Sequence, residues 1–208
     1  MIHTERKEIY LRYFRRISLL LLLGMSVLST GCMSVKMYVD PTLPKVAITD
    51  LKPVENKQAV QVLFEFQTNG ALNSKATEHV RPMILESLKN SNLFGELITT
   101  GTADRKLFIT INNGALTKDA ASKGFVTGLT LGLAGSMVTD NYFMNAIYSA
   151  PGQSDVKHSY QHAIHTTVGN ANGPANLTAV KPAEAISGVM NDLILNLLKE
   201  MSLKGELK

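Results

Sequence analysis

The chain has 208 residues, 45% of them hydrophobic and 18% charged, with a formal net charge of +4, one cysteine and no tryptophan. A single cysteine excludes an intramolecular disulfide, and a domain of this size buries roughly 70% of its unfolded surface, enough to need neither a bridge nor a metal. Five of the 21 basic and two of the 17 acidic residues lie in the first 31 positions, so the remainder carries a net charge of about +1, with Arg81 and Arg105 as its only arginines. That balance argues against nucleic acid, which requires a clustered basic face and stacking platforms.

The first segment joins a basic head (Arg6, Lys7, Arg12, Arg15, Arg16) to an apolar run over 17–28 and then to Ser29-Thr30-Gly31-Cys32. This is the pattern of a secretory signal peptide, residues 1–31. The run falls short of the roughly 20 residues that span a bilayer. A lone cysteine behind Gly31 resembles the lipobox of bacterial lipoproteins. The resemblance implies cleavage before Cys32 and acylation of its thiol, leaving Cys32 as a lipidated N-terminus. Several acyl chains, at about 0.8 kcal/mol per buried methylene, hold a protein firmly where one does not. Ser29 stands where the family prefers Leu, with Leu28 one step too early, so an ordinary signal peptide with a free thiol and an uncleaved anchor stay open. Met33 behind the cysteine, rather than Asp, implies sorting to the outer membrane.

Residues 32–44 form a tether, stiffened by Asp40-Pro41 and Leu43-Pro44. A single domain, 45–208, follows. Its first strand is expected over 45–51 and a second over 59–68, where Val60, Val62, Phe64 and Phe66 share one face. Asn69-Gly70 supplies a turn. A helix is predicted over 74–90 from Ala76, Val80, Ile84 and Leu88, with Pro82 either kinking it or starting its regular part. Leu93-Phe94 should pack back on the sheet. Strands are expected over 106–112, 142–150 and 156–168, the last two joined through Pro151-Gly152. A final amphipathic helix carries Ile186, Val189, Met190, Leu193, Ile194, Leu197, Leu198 and Met201, with Pro182 near its first turn. The order predicts an α+β fold: a small, mostly antiparallel sheet with two amphipathic helices, one helical stripe available per face, and a glycine-rich apolar insertion over 119–140.

In that insertion Gly124, Gly128 and Gly132 recur at spacing four, Gly135 follows, and residues 124–139 carry no charge. On a helix the spacing makes a bare ridge that admits a second backbone, as in small-xxx-small pairs. Leu129, Leu131 and Leu133 also alternate as in a strand. The segment is therefore a self-association or membrane-contact element, a buried insertion, or a flexible loop. A phosphate loop is excluded, because Lys123 precedes the glycines instead of following them.

Candidate catalytic chemistry is sparse. His158, His162 and His165 have metal-like spacing, but on a strand His158 and His162 stand about 13 Å apart and His165 faces away, so no ligand set forms locally. Ser154 and Lys157 match S-x-x-K without the companion K-T-G. Asp119, Asp140 and Asp155 sit in turns or flanks, where solvated surface is expected. Neither catalysis nor a cofactor is expected, nor is a small-molecule substrate evident. A hydrolase or metal binder using His158, His162 and Tyr160 is the least favoured reading.

The layout, carried by residues 60–67, 103–111, 124–135, 160–172 and the helix after Lys181-Pro182, resembles TraT-like surface-exclusion lipoproteins, and more loosely the curli-secretion-channel lipoprotein. The resemblance implies an oligomer on the outer membrane, although the glycine segment here is shorter and less repetitive. The expected function is non-enzymatic: a lipid-anchored outer-membrane protein, facing periplasm or surface, that binds itself or an envelope partner. The alternative is an accessory lipoprotein of a transport or secretion machine.

Overall fold

The computed structural model describes residues 34–114 and 136–208. These form one sheet of seven strands: β1 (Val35–Val39), β2 (Val60–Thr68), β3 (Ala71–Leu72), β4 (Leu97–Ile98), β5 (Lys106–Asn113), β6 (Ser136–Ser149) and β7 (Val156–Val168). Two helices accompany it, α1 (Ser74–Asn90) and α2 (Pro182–Lys204). The spatial order is β1-β7-β6-β5-β2-β3, with β4 beside the start of β2. Neighbours are antiparallel except at β2–β5 and β2–β4, which are parallel.

The α+β expectation holds, but the sheet is not small. Residues 35–39, expected to be tether, are an edge strand paired with β7 from Val35↔Val168 to Val39↔Ile164. Residues 45–51 are not a strand: Asp50 accepts the Ala47 N–H at 3.0 Å and closes a 3-10 turn at Ile48–Asp50. β6 begins at Ser136, before the expected start, because the far half of β7 pairs with it as far as Ser136↔Val168. Positions 136–140 therefore belong to the sheet and not to an insertion.

Local chemistry explains the other elements. Asn69 and Gly70 have φ of 51° and 80°, the left-handed pair that a two-residue hairpin requires, and they turn β2 into β3. Asn73 caps α1 by accepting the Ala76 N–H at 3.0 Å. α1 runs through Pro82, which is exposed. Pro182 opens α2, and Gly205, at φ 70°, ends it in a left-handed cap.

Both helices pack on the same face, not one per face. Val62, Leu107, Ile109, Ile111, Met144 and Ala146 face α1 and α2 and are essentially inaccessible, as are Ile84, Leu193, Leu197 and Leu198 from the helices. The outer edge of β2 is closed by α1: Thr77 Oγ1 accepts the Phe66 N–H at 2.9 Å and Arg81 donates to the Phe64 carbonyl at 3.2 Å. The opposite face carries no helix among the described residues. Leu63 there is 39% exposed, and it lies in register with Phe108 and Ile147 on β5 and β6.

Candidate functional site

Cys32 and Gly124, Gly128, Gly132 and Gly135 lie outside the described residues. The three histidines lie inside them, and each meets a carboxylate. As strand alternation requires, His158 and His162 face the helices, whereas His165 lies on the open face.

The helix-side pairs follow a simple register. α2 runs antiparallel to β7, so two strand residues, about 6.6 Å, match four helix residues, about 6 Å. Asp192 meets His162 at 3.3 Å; Asn196 and Glu200 meet Tyr160; Glu200 and Glu206 meet His158 at 3.5 and 2.8 Å. The Ala163 N–H donates to His162 Nδ1 at 3.0 Å, which leaves Nε2–H to donate to Asp192. The Lys204 ammonium (2.5 Å away) and then the Tyr160 hydroxyl hold the Glu200 carboxyl down to about 2. Burial, then the hydrogen bond to Glu200, pushes the Tyr160 hydroxyl far above its ordinary value. Asp192, Asn196 and Glu200 were legible as a polar stripe at spacing four, opposite the alternating His158, Tyr160 and His162. Reading the helix for its apolar period alone hides it.

The open face holds a second constellation. Thr139 stands directly across from His165, and their Oγ1 and Nδ1 are 2.9 Å apart. His165 Nε2 lies 3.1 Å from Asp40 Oδ2, and Asp40 Oδ1 accepts the Thr42 N–H at 2.7 Å. The carboxylate fixes Nε2–H as donor, so the Thr139 hydroxyl donates to Nδ1. Beside this chain is a hollow of about 310 Å³ lined by Asp40, Leu43, Thr139, Asn141, Gln161 and Ala163, among others. Asp40 falls within the expected tether; it directly follows β1, and its N–H continues the β1–β7 ladder by donating to the Ala163 carbonyl at 3.0 Å, which sets its side chain beside His165.

Asp140 is half-buried, not solvated surface as expected. Burial raises its carboxyl above the ordinary range, partly offset by a hydrogen bond from Asn113. Burial, and then the Asp140 charge, push the Tyr142 hydroxyl up to about 12. Asp155 is exposed, as are Ser154 and Lys157. Asp119 lies outside the described residues. Among the described residues no three His, Cys, Asp or Glu side chains cluster as a metal site, and no helix is long and apolar enough to cross a membrane.

No protein-family model matches the sequence, and no curated protein matches it. The chain is similar to several solved structures, three of which follow. Protein XCC0632 from Xanthomonas campestris, of family DUF330, is 12% identical, covers 84% of this chain and 94% of its own, and has a TM-score of 0.41. A PelC dodecamer from Paraburkholderia phytofirmans is 12% identical over 82% and 97%, with a TM-score of 0.35. The rare lipoprotein B from Shewanella oneidensis is 13% identical over 70% and 92%, with a TM-score of 0.27.

Proposed function

We propose that this chain is a non-enzymatic lipoprotein of the bacterial envelope, anchored in the outer membrane through an acylated Cys32 and acting by contact with copies of itself. The observation that carries the reading is the basic head, the apolar run over 17–28 and the Gly31-Cys32 step behind it, with β1 starting at Val35. Three residues reach at most about 11 Å. On this reading a lipid on Cys32 tethers the domain that begins with β1 to the membrane through a short link. The layout resembling TraT-like lipoproteins supports the same reading, and Gly124, Gly128, Gly132 and Gly135 are the proposed contact element.

The decisive test is metabolic labelling with an alkyne fatty acid, followed by membrane fractionation. Label on the wild type, its loss in Cys32→Ser, and co-sedimentation with outer-membrane markers are expected. A wild-type protein without label, released from membranes by salt, overturns the anchor. Blue-native electrophoresis of the detergent-extracted chain then compares the wild type with a version lacking 124–135. A large species lost with the deletion is expected.

The alternative, an accessory subunit of a transport or secretion machine, draws on the open face with its Leu63, Phe108 and Ile147 row. Crosslinking in cells separates the two: a ladder of the chain alone for self-association, one discrete hetero-adduct for the accessory role.

A further inference from the structure

The open face of β6 and β7 carries an unusual set of neighbours. Phe143 is half-buried and faces the same side as Asn141 and Asn145, two positions away along β6. Across the strands it stands opposite Asn112 of β5 and Gln161 of β7. An aromatic ring thus has an amide side chain on each of four sides. Next to it the small side chain of Ala163, opposite Asn141, floors the hollow of about 310 Å³ whose far wall is the Thr139–His165–Asp40 chain.

We infer that this face is a binding site for a neutral saccharide, one sugar ring lying against Phe143 and its hydroxyls reaching into the hollow over Ala163. The donor and acceptor inventory selects that class. A sugar hydroxyl both donates and accepts, and so does a carboxamide, through two N–H donors and a carbonyl oxygen. The side chains of Asn141 and Gln161 engage no partner among the described residues. Thr139 has its proton committed to His165 and offers its oxygen as acceptor. Asp40 keeps acceptor capacity beside the bonds from His165 and Thr42. Phe143 supplies the apolar surface that matches the C–H face of a pyranose ring.

Other classes fit less well. A phosphate or an acidic sugar meets the Asp40 carboxylate, and among the described residues no Lys or Arg lines the hollow. Asn112 and Asn145 accept from the Gly70 N–H and the Ser159 hydroxyl, but a lipid or aromatic ligand would cover the Asn141 and Gln161 amides without supplying partners, at a cost of about 1–3 kcal/mol for each polar group left unpaired. The volume lies at the lower end of the roughly 300–1,000 Å³ typical of ligand sites, which suits one or two sugar units.

The inference is independent of the anchor and of self-association, and it is tested on the full-length chain in a detergent without a sugar headgroup. Saturation-transfer NMR is recorded with maltotriose, cellotriose and tri-N-acetylchitotriose, and with trigalacturonate as the acidic counterpart. Saturation of the ring protons of at least one neutral trisaccharide, with none on trigalacturonate, is expected. Gln161→Ala, at an exposed position, and Phe143→Ala should each weaken binding at least tenfold while circular dichroism stays that of the folded chain. Should Phe143→Ala fail to fold, Gln161→Ala and Asn141→Ala decide. No transfer to any of the three neutral sugars, or transfer that these variants leave unchanged, overturns the proposal. So does equal transfer to trigalacturonate.

Discussion

His162 and Asp192 form a buried pair, the Nε2 of one lying 3.3 Å from Oδ2 of the other between β7 and α2. The Ala163 N–H holds the opposite ring nitrogen. Removing either member has unequal consequences. His162→Leu leaves the Asp192 carboxylate, 6% exposed, without its partner, and breaking a buried pair in this way costs about 3–5 kcal/mol. Asp192→Leu leaves a single N–H unmet, a loss of about 1–3 kcal/mol. The double leucine variant should recover most of the first loss. Urea unfolding followed by circular dichroism gives the order. A His162→Leu midpoint equal to the wild type would mean that the pair contributes nothing.

Glu200 makes the acid limb of stability specific. Its carboxyl is held at about 2, below its ordinary 4.5, first by the Lys204 bond and then by that of Tyr160. A lowered carboxyl stabilises the folded chain fully above its unfolded value, and the contribution is lost as pH falls from about 4.5 towards 2. Glu200→Gln should therefore lower the urea midpoint at pH 6 and flatten its decline between pH 4.5 and 2. Because Lys204 is mostly exposed, the effect should also shrink in high salt. Parallel wild-type and variant curves across that window would assign the decline to other carboxylates.

Gly95 is fixed by space rather than by its backbone angle. A Cβ there would stand 2.9 Å from the Lys57 carbonyl oxygen, while the Gly95 N–H donates to the Gln58 carbonyl at 2.9 Å. Both contacts hold the loop that feeds β4 against the start of β2. Gly95→Ala should push that loop off and destabilise the chain by about 1–3 kcal/mol, as overpacking does. Gly70→Ala, with open space around it and φ of 80°, should destabilise the chain by only about 1 kcal/mol, through added backbone strain. Faster amide exchange at Val60 in the first variant and not the second would check the mechanism, since the Val60 N–H donates to the Glu96 carbonyl at 2.9 Å.

Elements with many periods were legible from sequence. Residues 74–90 and 156–168 have the expected bounds, and β2 starts one residue late, because each buries one full face and so repeats its pattern several times. β3 and β4 have two residues each and no period to read. Residues 45–51 alternate apolar side chains like a strand, yet Val46 and Leu51 enter the core from a turn held by Asp50. The opposed orientation of His158 and His162 against His165 follows from strand geometry alone. Their partners did not, since Asp40 and Asp192 are 125 and 30 positions away from the histidines they meet. Pairs at such separations are made by topology, and no local pattern encodes them.

The glycine spacing is open to a direct test. If Gly124, Gly128 and Gly132 form a ridge that admits a second copy, bulk at its middle should block association while the sheet and both helices stay folded. Gly128→Leu should then convert a large blue-native species to monomer, with the circular dichroism and urea midpoint of the wild type. Gly128→Ala, with a single methyl, should weaken association less. The pair also distinguishes contact from packing. Were the segment part of the core, the leucine would lower the urea midpoint, and loss of the large species would track loss of fold. An unchanged oligomer in both variants would remove the glycines from the contact and shift attention to the open face around Leu63 and Phe108.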